Sequence, residues 1–146
     1  MKIIVPVLAS TLLSLGATIA LASSDSVVDL YKQANCGCCL KWADHMQKNG
    51  FEVRTHEVAD ASVIRSKSGI SAAQGSCHTA IVGGYAIEGH VPAADVRRLL
   101  KQRPNAVGLA VPGMPLGSPG MESDTKQPYE VLLVRTGGAT EVFARH

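Results

Sequence analysis

Aromatic residues are scarce in this 146-residue chain, at 4%: one Trp, three Tyr and two Phe. Proteins that grip single-stranded nucleic acid stack bases on aromatic rings, so the scarcity argues against that partner. An excess of one charge is missing too. Without Lys2, 13 basic residues face 12 acidic ones. Such balance gives no electrostatic case for nucleic acid or an anionic membrane surface. There is no internal repeat and no low-complexity tract. Cysteine is limited to four residues, too clustered for a stapled mini-protein. The chain is long enough to build an apolar core without disulfides.

What is present begins with a leader. Lys2 supplies a positive start, Ile3 to Leu15 is mainly apolar, and Ala20-Leu21-Ala22 has the small-x-small form of a signal-peptidase site. Residues 1–22 are expected to be a cleaved signal peptide and residues 23–146 one domain, exported to the periplasm and not membrane-bound after cleavage. Export puts the cysteines in an oxidising compartment.

Three of the four cysteines lie in Asn35-Cys36-Gly37-Cys38-Cys39, and the fourth is Cys77, followed by His78. Punctuation and periodicity place them. Val27, Val28, Leu30 and Tyr31 read as a strand, closed by the polar Lys32-Gln33-Ala34-Asn35. After the cysteines, Leu40, Ala43 and Met46 are spaced as one helical face with Trp42 beside it, stopped by Asn49-Gly50. Phe51, Val53 and Thr55 alternate as a second strand, and Asp60 caps a short helix through about Lys67, ended by Gly69. Thr79 to Val82, the turn Gly83-Gly84, and Tyr85 to Ile87 form a hairpin. Pro92 opens a helix with Val96, Leu99 and Leu100 inward, closed at Arg103-Pro104. Gly108 to Gly120 reads as a Gly/Pro-rich loop, and Tyr129 to Val134 with Thr140 to Phe143 as a closing hairpin. The order β-α-β-α-β-β-α is α/β and thioredoxin-like, with a mixed central sheet flanked by helices.

The motif therefore falls at a helix start, where free N–H groups and the positive dipole end favour thiolate over thiol. Cys36 and Cys39 stand at C-x-x-C spacing, which suits either a disulfide or chelation of one ion. Cys38 adds a third sulfur, which a dithiol oxidoreductase does not need and a metal cluster uses. Cys77-His78 precedes a strand at a place that approaches the motif in thioredoxin-like chains and commonly holds a cis-proline. Here it brings a fourth thiol and an imidazole; the plainer reading is two buried core residues. His90, at the start of a helix, can reach a neighbouring site. Met114 and Met121 lie in a Pro/Gly loop, and thioether suits Cu(I) far better than Zn(II); methionine also fills gaps in cores. His45 points away from Cys36, and His56 and His146 read as surface residues.

Taken together, these blocks resemble one family. They are Cys36-Gly37-Cys38-Cys39 with Trp42 and His45, Ser76-Cys77-His78-Thr79-Ala80, Glu88-Gly89-His90-Val91-Pro92, Gly108-Leu109-Ala110-Val111-Pro112-Gly113-Met114-Pro115 and Gly117-Ser118-Pro119-Gly120-Met121-Glu122. In this order they are similar to the CopG-type family of exported, thioredoxin-like copper-resistance proteins, over nearly all of the chain after the leader. The resemblance implies a copper site built by Cys36, Cys38, Cys39 and Cys77, with several sulfur-bridged ions and disulfides in the metal-free form. His78, His90, Met114 and Met121 are further candidates. The expected function is copper resistance through Cu(I) binding, with histidines accommodating Cu(II) if copper is cycled. Copper-export or copper-handling proteins are the natural partners. A thiol–disulfide oxidoreductase and a zinc or disulfide structural module are the competing readings, and the motif does not settle whether the protein is an enzyme.

Overall fold

The computed structural model describes residues 24–146, so the expected leader and its cleavage point lie outside the described residues. β1 (Val27–Lys32) alternates as a strand must: Val28, Leu30 and Lys32 face the interior. α1 (Gly37–Lys48) follows the cysteine-bearing turn directly. β2 (Glu52–Glu57) lies parallel to β1. α2 (Ala61–Lys67) is capped by the Asp60 carboxylate, which accepts from the Ser62 N–H at 2.8 Å. β3 (His78–Val82) and β4 (Tyr85–Glu88) form the expected hairpin. Its turn needs two glycines, since Gly83 and Gly84 have φ of 55° and 86°. α3 (Ala93–Gln102) ends at Arg103, which adopts the left-handed conformation at φ 48°.

The sheet has seven strands in the order β2-β1-β3-β4-β5-β6-β7, continued past β4 by β5 (Gly108–Ala110), β6 (Glu130–Val134) and β7 (Thr140–Arg145). It is mixed: β1 runs parallel to β2 and β4 to β5, and the other neighbours are antiparallel. The main core joins Trp42, Ala43 and Met46 of α1 and Val96 and Leu99 of α3 to the inward residues of β1, β3, β4, β5 and β6. A smaller cluster of Ile70, Ala86, Ala110 and Val134, with Ile81 and Val107 against it, fills the opposite face.

Three local expectations need correction. Leu40 is exposed, because the buried stripe of α1 is Cys39, Trp42, Ala43 and Met46, a complete i, i+3, i+4, i+7 face anchored by a motif cysteine. Thr55 is exposed, because β2 is an edge strand with one partner. Gly108 to Ala110 is a central strand rather than loop. Gly108 sits there because a Cβ would overlap the Ala86 backbone of β4.

Among the described residues, no helix is long and apolar enough to cross a membrane.

Candidate metal centre

Four sulfurs from two separate stretches of chain meet at one end of the sheet. Cys36 is the N-cap residue of α1, and its side chain makes no capping hydrogen bond. Its N–H instead donates to the Gln33 carbonyl at 3.2 Å, closing the turn that leads out of β1. One turn of helix brings Cys39 back beneath it, with Cα atoms 5.4 Å apart, and the two are joined in a disulfide. Cys38 and Cys77 are free thiols. The Cys38 Sγ lies 3.6 Å from the Cys36 Sγ and 3.6 Å from the Cys77 Sγ, and the Cys39 Sγ is 3.7 Å from that of Cys77. All four sulfurs lie within 4.8 Å of one another.

Cys77 also belongs to a second group, with His78 and His90. Its Sγ is 3.0 Å from His90 Nε2 and 3.5 Å from His78 Nδ1. The Pro119 carbonyl, 2.7 Å from His90 Nδ1, can only accept, so Nδ1 carries the proton and the Nε2 lone pair faces the sulfur. This second partner orients the ring in the way that partners of metal-binding imidazoles do. His78 is completely buried between the rings of Trp42, at 4.6 Å, and His90, at 5.2 Å. Its Nε2 is buried with no hydrogen-bond partner among the described residues, which does not suit the reading of a satisfied core histidine. Burial, with help from His90, drives the His78 pKa down to about 3. Burial also lowers that of His90, against the pull of the Pro119 carbonyl and Glu122. Both imidazoles are thus neutral, the form that ligates metals. Burial, reinforced by Cys38, pushes the Cys77 thiol up to about 12. Without metal it keeps its proton, and an ion bound there must displace it.

The backbone around Cys77 is fixed from the opposite face of the sheet. Glu88, at the end of β4, is fully buried. Its carboxylate accepts from the Ser76 N–H at 2.7 Å and the Thr79 hydroxyl at 2.6 Å, with Arg65 of α2 at 3.5 Å. Burial raises its pKa, and those three donors pull it back. Gly89, at φ 71°, lets the chain turn toward His90, where a Cβ would strike Ser76 and the Val111 carbonyl.

Residues 111–121 close the site. Gly113 donates to the Gly75 carbonyl at 3.1 Å and accepts from the Ser76 hydroxyl. Gly120, at φ 88°, lies so close to α1 that a Cβ would stand 2.7 Å from the Cys38 carbonyl and 3.2 Å from His90 Nδ1. Its N–H donates to Glu122 at 2.6 Å. Met114 follows the anchored Gly113 but is itself exposed, and Met121 is half-buried. His45 stands apart from the cluster as expected: its Nε2 accepts the first free N–H of α3, from Ala93, at 3.1 Å. His56 pairs with Asp29 at 2.8 Å and stacks on Tyr31. His146 is exposed, as expected, and is bonded to the buried Asp95 at 2.7 Å.

Lys32, Glu88 and Gly120 also support the site, although none of them stands out in the sequence as a functional residue. Lys32 carried a signal, since β1 alternation puts it on the same face as Val28 and Leu30.

This donor set is chemically selective. Thiolates prefer soft ions such as Cu(I) or Zn(II), and neutral imidazoles accept Cu(I), Cu(II) or zinc. The spacing of the four sulfurs, with an imidazole nitrogen of His78 and of His90 against Cys77, fits a metal better than it fits a plain disulfide staple. In the disulfide form only Cys38 and Cys77 remain as thiols, so the full sulfur set requires reduction.

Comparison with known proteins is consistent with this. A family described as "Protein of unknown function, DUF411" matches residues 74–121, the stretch from the distal cysteine to Met121. No curated protein matches the chain. Two solved structures are similar to it, titled "Copper resistance protein copG- Form 2" and "Copper resistance protein copG- Form 1". Each is 45% identical with a TM-score of 0.78 and covers 82% of this chain. The alignments span 97% and 96% of those two chains.

Proposed function

Because the chain belongs to the CopG family of copper-resistance proteins, we propose that it is a periplasmic copper-binding protein that holds Cu(I) on Cys36, Cys38, Cys39 and Cys77. The observation that carries this reading is the convergence of four sulfurs within 4.8 Å. Sulfurs so close can each serve more than one ion, which supports a cluster rather than a single closed site. His78 and His90 extend the donor set on the Cys77 side, and Met114 and Met121 offer thioethers from the loop. The apolar leader ending at Ala22 supports export; fractionation of cells expressing the full chain tests it, and retention in the cytoplasm would end that part of the proposal.

The test is an anaerobic Cu(I) titration of the reduced protein against a chelator of known affinity, with metal counted per chain. We expect tight uptake of more than one Cu(I), lost in the C36S/C39S double variant. Full stoichiometry in that variant would overturn the assignment. Zn(II) that resists Cu(I) competition would favour the structural zinc module instead.

The disulfide favours a second role at the same site. Oxidation of two Cu(I) to two Cu(II) releases two electrons, and the Cys36–Cys39 bond can take them with two protons to become two thiols. Sulfur-rich and imidazole-rich donors side by side suit the two oxidation states in turn. Stoichiometric appearance of two thiols as two Cu(II) form would identify this exchange. Turnover of a model disulfide without copper would instead point to the thiol–disulfide oxidoreductase reading.

A further inference from the structure

Lys32 is a charged residue in a place that charged residues rarely occupy. Its side chain is 2% exposed, and lysine is almost never fully buried without a partner. The carboxylate nearest to it, Glu57 at 3.3 Å, is 65% exposed and so pairs weakly through solvent. The ammonium is spent elsewhere. Nζ donates to the Gln33 carbonyl at 3.1 Å and to the Ala34 carbonyl at 3.1 Å, the residues between β1 and the cysteine motif.

One of those acceptors is shared. The Gln33 oxygen also takes the Cys36 N–H at 3.2 Å, so the ammonium and the Cys36 amide rest on the same atom. The cross-strand partner of Lys32 is His78 in β3, and side chains directly opposite in a ladder share a face. Lys32 therefore stands beneath the turn that presents Cys36, on the side of the sheet where His78 joins the cluster. Neither the disulfide nor the proposed ligand set uses it.

We propose that Lys32 is a positioning residue for the Cys36-x-x-Cys39 pair: it clamps the Gln33–Cys36 turn and supplies the counter-charge that favours the opened, metal-receiving thiolates over the disulfide. A positive charge in a buried setting is weakly screened. Through the Gln33 oxygen that Nζ shares with the Cys36 amide, the charge sits at the turn that carries Cys36, where a cation favours a thiolate, as lysine does beside reactive cysteines, and does little for a neutral disulfide. The proposal deepens the copper-site reading and rests on it for its purpose, but it is tested without copper.

The test equilibrates the metal-free protein with glutathione. Two glutathione thiols are oxidised to one glutathione disulfide, and the Cys36–Cys39 bond is reduced to two thiols. In K32M, which keeps length and apolar bulk, we expect the equilibrium constant to move toward the disulfide by about tenfold, about 30 mV for a two-electron couple. K32R, retaining charge and donors, should recover most of the shift, and E57Q should leave the constant unchanged. A folded K32M with the wild-type constant overturns the proposal. So does an equal shift in K32R, which would assign the effect to packing. If K32M does not fold, K32Q is read on the same scale, and an unchanged constant there is equally decisive. A normal Lys32 effect with no Cu(I) uptake would sink the copper reading alone.

Discussion

Cys36, Cys38 and Cys39 ride on the first turn of a helix, whereas Cys77 sits on the residue before a strand, and the two arms of the cluster are held by opposite means. The helix arm is partly exposed, carries the disulfide, and is underpinned by the buried ammonium of Lys32 on the face shared with α1. The strand arm is flanked by two buried neutral imidazoles and pinned by the buried carboxylate of Glu88 on the opposite face, beside α2. The difference separates tasks. The helix arm can open and close, because a C-x-x-C ring at a helix start changes redox state with little rearrangement. The strand arm has no cysteine partner in a disulfide and offers the same donors in either state.

Cys77 is the residue that both donor groups share, so its loss should be the most damaging single change. We expect C77S to lower Cu(I) affinity by more than about 100-fold, beyond the 10–100-fold that follows loss of a supporting contact. It should also disconnect His78 and His90 from the sulfurs, so that adding H90Q lowers Cu(I) affinity in the wild-type background and has no further effect in C77S. Equal affinity in C77S and wild type would mean that the helix arm binds alone and that the two-arm comparison has no bearing on copper.

The Glu88 support should show next, as stability. E88L leaves the Ser76 N–H, the Thr79 hydroxyl and Arg65 facing an apolar side chain, and buried groups deprived of a charged partner cost about 3 kcal/mol. E88Q keeps an acceptor for Ser76 and a donor for the Thr79 oxygen, so about 1 kcal/mol is expected. Urea unfolding of the metal-free protein measures both. Similar values for the two variants would show that volume, and not the hydrogen bonds to the Cys77 arm, is what Glu88 provides.

These supports mark where the sequence was legible and where it was not. Elements bounded by strong punctuation were readable: Asn49-Gly50 after α1, Gly83-Gly84 between β3 and β4, Pro92 and Arg103 around α3. β5 was not, because three residues among glycines and prolines carry no periodicity, and its place depends on β4 and β6 on either side. The cysteines announced themselves by clustering, and His90 by its position. That His78 would have a nitrogen unpartnered among the described residues, or that Pro119, 29 residues further on, would set the His90 tautomer, depends on contacts between segments far apart in sequence. Lys32 was half-legible: strand alternation assigned it to the interior, but a lysine there reads as the polar end of a strand until its acceptors are seen. Leu40 shows the reverse, an apolar residue that spacing assigned inward and Cys39 displaced.

The smallest expected effect lies just outside the cluster, at His45, which ties the two helices around it. Its Nε2 accepts the Ala93 N–H at the start of α3, so that nitrogen must be unprotonated. Partial burial lowers its pKa below 6.5, against the opposing charges of Glu122 and Asp44. A base held below its unfolded pKa favours the folded state when neutral. That contribution is therefore complete above about pH 6.5 and is lost as pH falls through the unfolded value toward the folded one. Half-exposure screens it, leaving only a fraction of a kcal/mol. H45Q keeps a side-chain acceptor for Ala93 and does not titrate, so its stability should be flatter than wild type between about pH 7 and pH 5. Parallel pH profiles would show that α3 does not rely on this nitrogen. Because His45 touches neither donor group, H45Q should leave copper stoichiometry intact, which separates the frame around the site from the site itself.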